Sequence, residues 1–279
     1  MRIAFIGDLH YPVVEENEAT VKEARDAFYA EFLHRFFATE ADYYISLGDL
    51  TNYGEESEVR EVYELITRHN KNFIHVFGNH DLYDIPRQAL LDQSKMNQNY
   101  SIETEEAYLV FLETARDHDY ENYGGFLHDE QLQWLEAEIE RSGEKTMMIF
   151  AHHPVYDTTA RSQRKYLSID PELNVQDILN KKQGTGIYIN GHNHVDSIVY
   201  SGQWTYIQAG AVLDDQSIRI LEIDNDRICL QAKELNDSQL KQLAEIVGQH
   251  ISHFNLFPEG RGTTLNREAV IQTTAVKRL

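Results

Sequence analysis

Only one cysteine, Cys229, occurs in the 279 residues. A lone thiol forms no intramolecular disulfide and no all-cysteine zinc site, and such sparing use points to a reducing compartment, here the cytoplasm. Positive charge is scarce as well: 25 lysines and arginines face 46 aspartates and glutamates, for a formal charge of -21. The surface as a whole repels polyanions, which argues against bulk nucleic-acid binding by phosphate neutralisation. Any phosphate chemistry must be local. Long apolar runs are missing too. None reaches the ~20 residues that span a bilayer, so no membrane partner is expected. The run in "MRIAFIGD" before Asp8 is too short for the core of a signal peptide. Five prolines and fifteen glycines leave little room for long linkers. What the chain does hold is core material: 42% of it is hydrophobic, with sixteen tyrosines and twelve phenylalanines, enough for one large domain or two small ones.

Residues 2–6, "RIAFI", form a β-branched and aromatic run that stops at Gly7, the pattern of a buried strand. Between Glu18 and Ala38 the apolar positions Val21, Ala24, Phe28, Phe32 and Phe36 recur at three- and four-residue spacing, an amphipathic helical stripe. "YYISL" reads as a second strand, "ESEVREVYELITRHN" as a second helix and "FIHVF" as a third strand. After a less regular stretch from Asp84 to Glu106, "AYLVFLET" returns to strand character. "HDEQLQWLEAEIE" predicts a helix with His128 near its N-cap and Gln131 at the capping-box position. "TMMIFA" and "GIYIN" are two further buried strands, separated by a loop and a short helix around 175–181. Short alternating strands without helices from Val195 to Glu234 suggest a second, largely antiparallel sheet. A helix, "DSQLKQLAEIVGQHI", then opens a C-terminal region that ends in a polar tail. The reading is a layered α/β protein with helices on the sheet faces, divided into a main domain at 1–235 and a helix and tail at 236–279.

Nearly every predicted strand ends in metal-binding residue types. The first runs into "GDLH", the second into "GDLTN", the third into "GNHD", and the two later buried ones into "AHHP" and "GHNH". Ligands of open α/β sheets gather outside the carboxyl ends of strands, so five distant segments would converge on one site. Asp8, His10, Asp49, Asn79, His152, His192 and His194 then supply two carboxylates, one amide oxygen and four imidazoles. That mixture suits Mn, Fe, Zn or Co better than Ca, which takes oxygen alone, or Cu(I), which takes sulfur. Seven donors exceed what one ion takes from protein while keeping a position open, so two divalent ions are the natural count. His34, His69, His75, His118, His250 and His253 fall outside the pattern and read as solvated or core histidines.

With these segments in view, the chain resembles the calcineurin-like metallophosphoesterase superfamily. The matching motifs are Asp8-Leu9-His10, Gly48-Asp49, Gly78-Asn79-His80-Asp81, His152-His153-Pro154 and Gly191-His192-Asn193-His194. The resemblance implies a four-layer α/β/β/α sandwich of two mixed sheets flanked by helices. It also implies that Asp8, His10 and His194 hold one ion, that Asn79, His152 and His192 hold the other, and that Asp49 bridges them. In purple acid phosphatases a tyrosine stands three residues after the bridging aspartate, where this chain has Asn52. Protein Ser/Thr phosphatases place an Asp-Arg-Gly triplet where it has Asn52-Tyr53-Gly54. The chain looks most similar to class III cyclic-nucleotide phosphodiesterases.

Two divalent ions about 4 Å apart hold a hydroxide at neutral pH and polarise phosphoryl oxygens for in-line attack. The leaving alkoxide of a diester needs a proton, for which His80 is the candidate general acid, with Asp81 as the group that fixes its tautomer. The expectation is hydrolysis of a small phosphorylated substrate, a phosphodiester such as a cyclic nucleotide. A nucleotide pyrophosphohydrolase or phosphomonoesterase on the same metals is the alternative, and a non-catalytic scaffold the remaining class. Assembly into a homo-oligomer is left open by the sequence.

Overall fold

Apolar alternation and Gly7 set the first strand where the pattern puts it. The computed structural model describes residues 1–15, 17–224 and 226–273. Along the chain come β1 (Arg2–Ile6), α1 (Ala19–Ala38), β2 (Tyr43–Ser46), α2 (Glu56–Thr67), β3 (Phe73–His75), α3 (Arg87–Ser94), β4 (Asn99–Glu103), β5 (Tyr108–Leu112) and α4 (Asp129–Ser142). There follow β6 (Met147–Ala151), α5 (Val175–Leu179), β7 (Gly186–Asn190), β8 (Ser197–Ser201), β9 (Trp204–Gln208), β10 (Ser217–Ile223), β11 (Arg227–Glu234), α6 (Ser238–His250) and β12 (Ala269–Gln272). His128 and Gln131 form the predicted capping box of α4.

The strands build two six-stranded sheets, ordered β12-β11-β10-β1-β2-β3 and β4-β5-β6-β7-β9-β8. Both are mixed. β1, β2 and β3 run parallel, as do β5, β6, β7 and β9, and antiparallel strands complete the flanks. Because side chains alternate across a strand, Ile3 and Phe5 of β1 face the second sheet and meet Phe111, Met148, Phe150 and Ile189. Ala4 and Ile6 face outward onto Phe28, Phe32 and Phe36 of α1. On the far side Val110, Ile149, Tyr188 and Trp204 pack under Leu135 and Ile139 of α4 and Leu179 of α5. The outcome is the expected four-layer α/β/β/α sandwich.

Two local expectations need correction. The strands between Val195 and Glu234 do not make a sheet of their own: the β8–β9 hairpin extends the second sheet beside β7, and the β10–β11 hairpin extends the first beside β1. Alternation fixes which residues face inward but is the same on either sheet, so the sequence pattern does not tell them apart. The stretch from Asp84 to Glu106 holds α3 and β4. The helix is eight residues long and the strand is a partly exposed edge, so neither carries a strong periodic signal. Further on, α6 lies against α1, with Asp237 capping its N-terminus and pairing with Arg35 at 2.6 Å. β12 closes the first sheet on β11. Residues 274–279 of the predicted polar tail lie outside the described residues.

Candidate metal centre

The loops that follow β1, β2, β3, β6 and β7 meet along one edge of the two sheets. Close approach there requires glycine: a Cβ on Gly78 would overlap the Asp49 carboxylate, and one on Gly191 would come within 2.6 Å of Asp8 Oδ2. All seven sequence-predicted ligands converge. His10 Nε2 lies 3.1 Å from His194 Nε2 and 4.0 Å from Asp49 Oδ2, and His194 Nε2 lies 3.7 Å from Asp8 Oδ1. On the other side, His152 Nε2 lies 3.1 Å from Asn79 Oδ1, 3.2 Å from His192 Nδ1 and 3.3 Å from Asp49 Oδ2. Asp49 thus stands between the two groups, one built on Asp8, His10 and His194, the other on Asn79, His152 and His192.

The outer hydrogen bonds decide which atoms face inward. A carbonyl only accepts, so the contact of His152 Nδ1 with the Leu47 carbonyl (2.8 Å) places the proton on Nδ1 and aims the Nε2 lone pair at the centre. His192 does the reverse: Nε2–H donates to the Tyr166 carbonyl (2.9 Å) and Nδ1 points inward. The Asn79 amide donates Nδ2–H to the Tyr83 hydroxyl (2.7 Å), which turns Oδ1 toward His152. Asp8 accepts from the His192 backbone N–H (2.9 Å), and Asp49 Oδ1 from that of His80 (2.9 Å).

His153 groups with His152 and His192 by distance, but both its nitrogens are taken. Nε2–H donates to the Tyr123 carbonyl (2.9 Å), and Nδ1 accepts from the Thr114 hydroxyl (2.8 Å). It is a buried support beside the centre, and His152 is the inward-facing member of the pair.

Lone pairs of buried nitrogens and oxygens crowding at 3–4 Å need a positive charge among them. Burial holds His192 and His194 down to about 3, so both are neutral. Burial also pushes Asp8 up to about 7 against the charge of His152. At His152 burial is outweighed by Asp49 and Asp8, and its pKa rises to about 9. The donor set of two carboxylates, one amide oxygen and four imidazoles fits a pair of divalent transition-metal ions.

His80 stands beside the centre, its ring 4.6 Å from that of His10. The structure corrects the expected role of Asp81. Its Oδ1 accepts from Thr51 N and Oγ1 (2.9 and 2.8 Å), and Oδ2 accepts from Gly78 N (2.9 Å) and faces His75 Nε2 at 2.9 Å. Asp81 therefore ties the loops after β2 and β3 together, with His75 as a core histidine behind it. The group that fixes the His80 tautomer is the Asn52 carbonyl, which accepts from Nδ1–H at 2.6 Å and leaves Nε2 free.

A cavity of about 380 Å³ opens over Asp49, Asn79, His80, His192 and His194. Its walls contain residues that the motif reading missed: Tyr83, Tyr120, Tyr123, Arg161, Phe254 and Phe257, with His253 at the rim. Phe254 packs edge-on against His10 and tilts over His194, with ring centres at 4.9 and 5.2 Å. Tyr53, one position beyond Asn52, stacks on Tyr120 at 5.5 Å and does not join the converging donors. Tyr83 alone had a local signal, lying just after "GNHD"; the others come from distant loops.

Fold and site together define a two-sheet phosphoesterase with a His/Asp metal-binding cluster at its strand ends. The chain belongs to the calcineurin-like phosphoesterase family, whose model matches residues 1–196. Among curated proteins it is 28% identical over 176 residues to a probable cyclic nucleotide phosphodiesterase of Rhodopseudomonas palustris, covering 60% of this chain and 62% of that one. It is 26% identical over 113 residues to a glycerophosphodiester phosphodiesterase of Enterobacter lignolyticus, covering 38% of this chain and 40% of the relative. These matches thus span under two thirds of each relative. Among solved structures, a dimetal phosphatase from Danio rerio superposes with a TM-score of 0.68 at 16% identity, covering 84% of this chain and 96% of that one. A purple acid phosphatase from yellow lupin, Lupinus luteus, gives 0.57 at 12% identity, covering 85% of this chain and 52% of that one. At such identities the likeness is one of fold. Among the described residues no helix is long and apolar enough to cross a membrane.

Proposed function

We propose that the protein hydrolyses a small-molecule phosphodiester, with a cyclic nucleotide as the leading candidate, at a centre of two divalent ions. Asp8, His10 and His194 would hold one ion, Asn79, His152 and His192 the other, and Asp49 both. The ions, when bound, would polarise the phosphoryl oxygens and make water a nucleophile at neutral pH. The observation that carries the reading is the convergence of seven inward-facing donor atoms beneath one cavity, with an uncommitted His80 Nε2 at their side. The curated relatives named for cyclic nucleotide and glycerophosphodiester substrates support a diester.

The chain's own part in the reaction is positional and protonic. The Asn52 carbonyl holds Nδ1–H of His80, so the imidazolium donates its Nε2 proton to the leaving oxygen. Aromatic walls from Tyr83, Tyr120, Tyr123 and Phe254 exclude water and offer faces to a base or other planar group.

Manganese-loaded protein should cleave bis(p-nitrophenyl) phosphate in preference to p-nitrophenyl phosphate. Ready cleavage of the monoester with the diester untouched would refute the assignment. Close to two metal equivalents by elemental analysis supports the dinuclear reading, and none supports a scaffold. His80→Ala should slow diesters with alkoxide leaving groups by roughly 10²–10⁴-fold and nitrophenyl esters far less. Equal losses on both would remove His80 as the acid.

A further inference from the structure

Arg161 lies in the loop between β6 and α5, half-buried, with its backbone in the left-handed region at φ +68°. It lines the same cavity as His192 and His194. Nη1 donates to the Asn193 carbonyl at 3.0 Å, and the guanidinium carbon stands 5.7 Å from the Phe257 ring centre. Nε is buried and has no hydrogen-bond partner.

What is missing around this side chain is a carboxylate. The titratable groups near it are Arg164, which repels it, the neutral Tyr123 phenol and the neutral His194; no acidic side chain among the described residues forms an ion pair with it. The chain has 46 acidic side chains to choose from. Its buried arginines elsewhere do find partners: Arg219 meets Asp196 at 2.6 Å, and Arg267 meets Asp215 at 2.6 Å. A partly desolvated guanidinium left unpaired costs stability, and its planar fork is built for two-point contact with phosphate-like anions. Arg161 belongs to a loop of the second sheet, whereas His80 comes from the first, so the cation and the acid reach the cavity from different sides of the seam between the sheets.

We propose that Arg161 forms a subsite for a second anionic group of the substrate, so that the preferred phosphoester carries a phosphate-like charge beyond the phosphoryl group that reacts. This rests on the phosphoesterase reading above and moves its leading substrate from a simple cyclic nucleotide, which carries a single charge, to one with a second anionic group. The substrate class becomes esters with two anionic groups, such as nucleotides bearing a further phosphate, and a singly charged diester fills the reacting position alone. The bond to the Asn193 carbonyl steadies the guanidinium and leaves its other edge for the ligand.

Titration calorimetry on manganese-loaded protein tests this with two probes that differ in one charge, ethylphosphonate and 2-sulfoethylphosphonate. The unsubstituted protein should bind the sulfonated probe at least tenfold more tightly, the gain expected of a charge-assisted contact. Arg161→Gln keeps an N–H donor for the Asn193 carbonyl and should bring the ratio of the two affinities close to one. Arg161→Lys should keep part of it. No preference in the unsubstituted protein overturns the proposal without recourse to any variant. Equal losses for both probes in Arg161→Gln also overturn it, and would make Arg161 a clamp on the 191–194 loop. If no diester is hydrolysed while the calorimetric preference stands, the reaction assigned above falls and the anion subsite survives.

Discussion

Two buried polar clusters lie side by side in this protein, and His194 of one is separated by a single residue from Asp196 of the other. In the second, charges balance. Arg219 Nη2 meets both Asp196 oxygens at 2.6 Å, Arg267 reaches Asp196 and Asp215 at 3.2 and 2.6 Å, and Glu234 takes Arg261 at 2.7 Å. Three guanidinium groups face three carboxylates. In the first, two carboxylates and four imidazoles face one another, and among the described residues no arginine or lysine pairs with either carboxylate. Both have buried cores, although Arg261 and Glu234 of the second reach the surface. Internal balance is what separates a cluster that holds the fold together from one shaped for something that the chain does not itself supply.

Substitutions can break that contrast. Asp49→Asn removes the carboxylate common to both halves of the centre; activity should fall on the order of a thousandfold or more, and bound metal from two equivalents toward one or none, with melting little changed. Arg219→Met should do the opposite. It leaves Asp196 short of its main partner and should cost about 3–5 kcal/mol of stability, read by denaturant unfolding, while the folded fraction keeps its metal. A subtler change is Tyr83→Phe, which frees the Asn79 amide to turn. Metal affinity at the Asn79 side should drop roughly 10–100-fold, measured by competition with a chelator, while the Asp8 side is spared. If Arg219→Met instead lost its metal at unchanged stability, the division between the two clusters would be wrong.

The convergence of the seven donor residues was legible because each follows a strand whose apolar run is itself legible, and a strand end has only one place to go in an open sheet. Asp81 was misread because adjacency in sequence suggested partnership with His80. The short turn after β3 sends the two side chains apart, one to the cavity and one under the loop. Arg161, Phe254 and Phe257 were invisible for another reason. Arg161 lies in the long irregular loop between β6 and α5, and Phe254 and Phe257 in the segment between α6 and β12, so none of them sits on an element with a periodic signal. His153 illustrates a limit of the motif: only the Tyr123 carbonyl and Thr114 hydroxyl, both remote in sequence, show that its nitrogens are spoken for.

Thirteen described residues other than glycine have positive φ, and four of them are His10, Asp49, His192 and His194, at +51°, +48°, +70° and +52°. Left-handed backbone disfavours a side-chain-bearing residue by ~1–2 kcal/mol each, a cost concentrated at the centre. Glycine would sit more comfortably at each of these positions. A library selected only for higher melting temperature would therefore drift toward glycine there and return robust, metal-free proteins. Any effort to harden this scaffold needs a metal-dependent readout in the same screen, because at these four positions durability and chemistry pull the sequence in opposite directions.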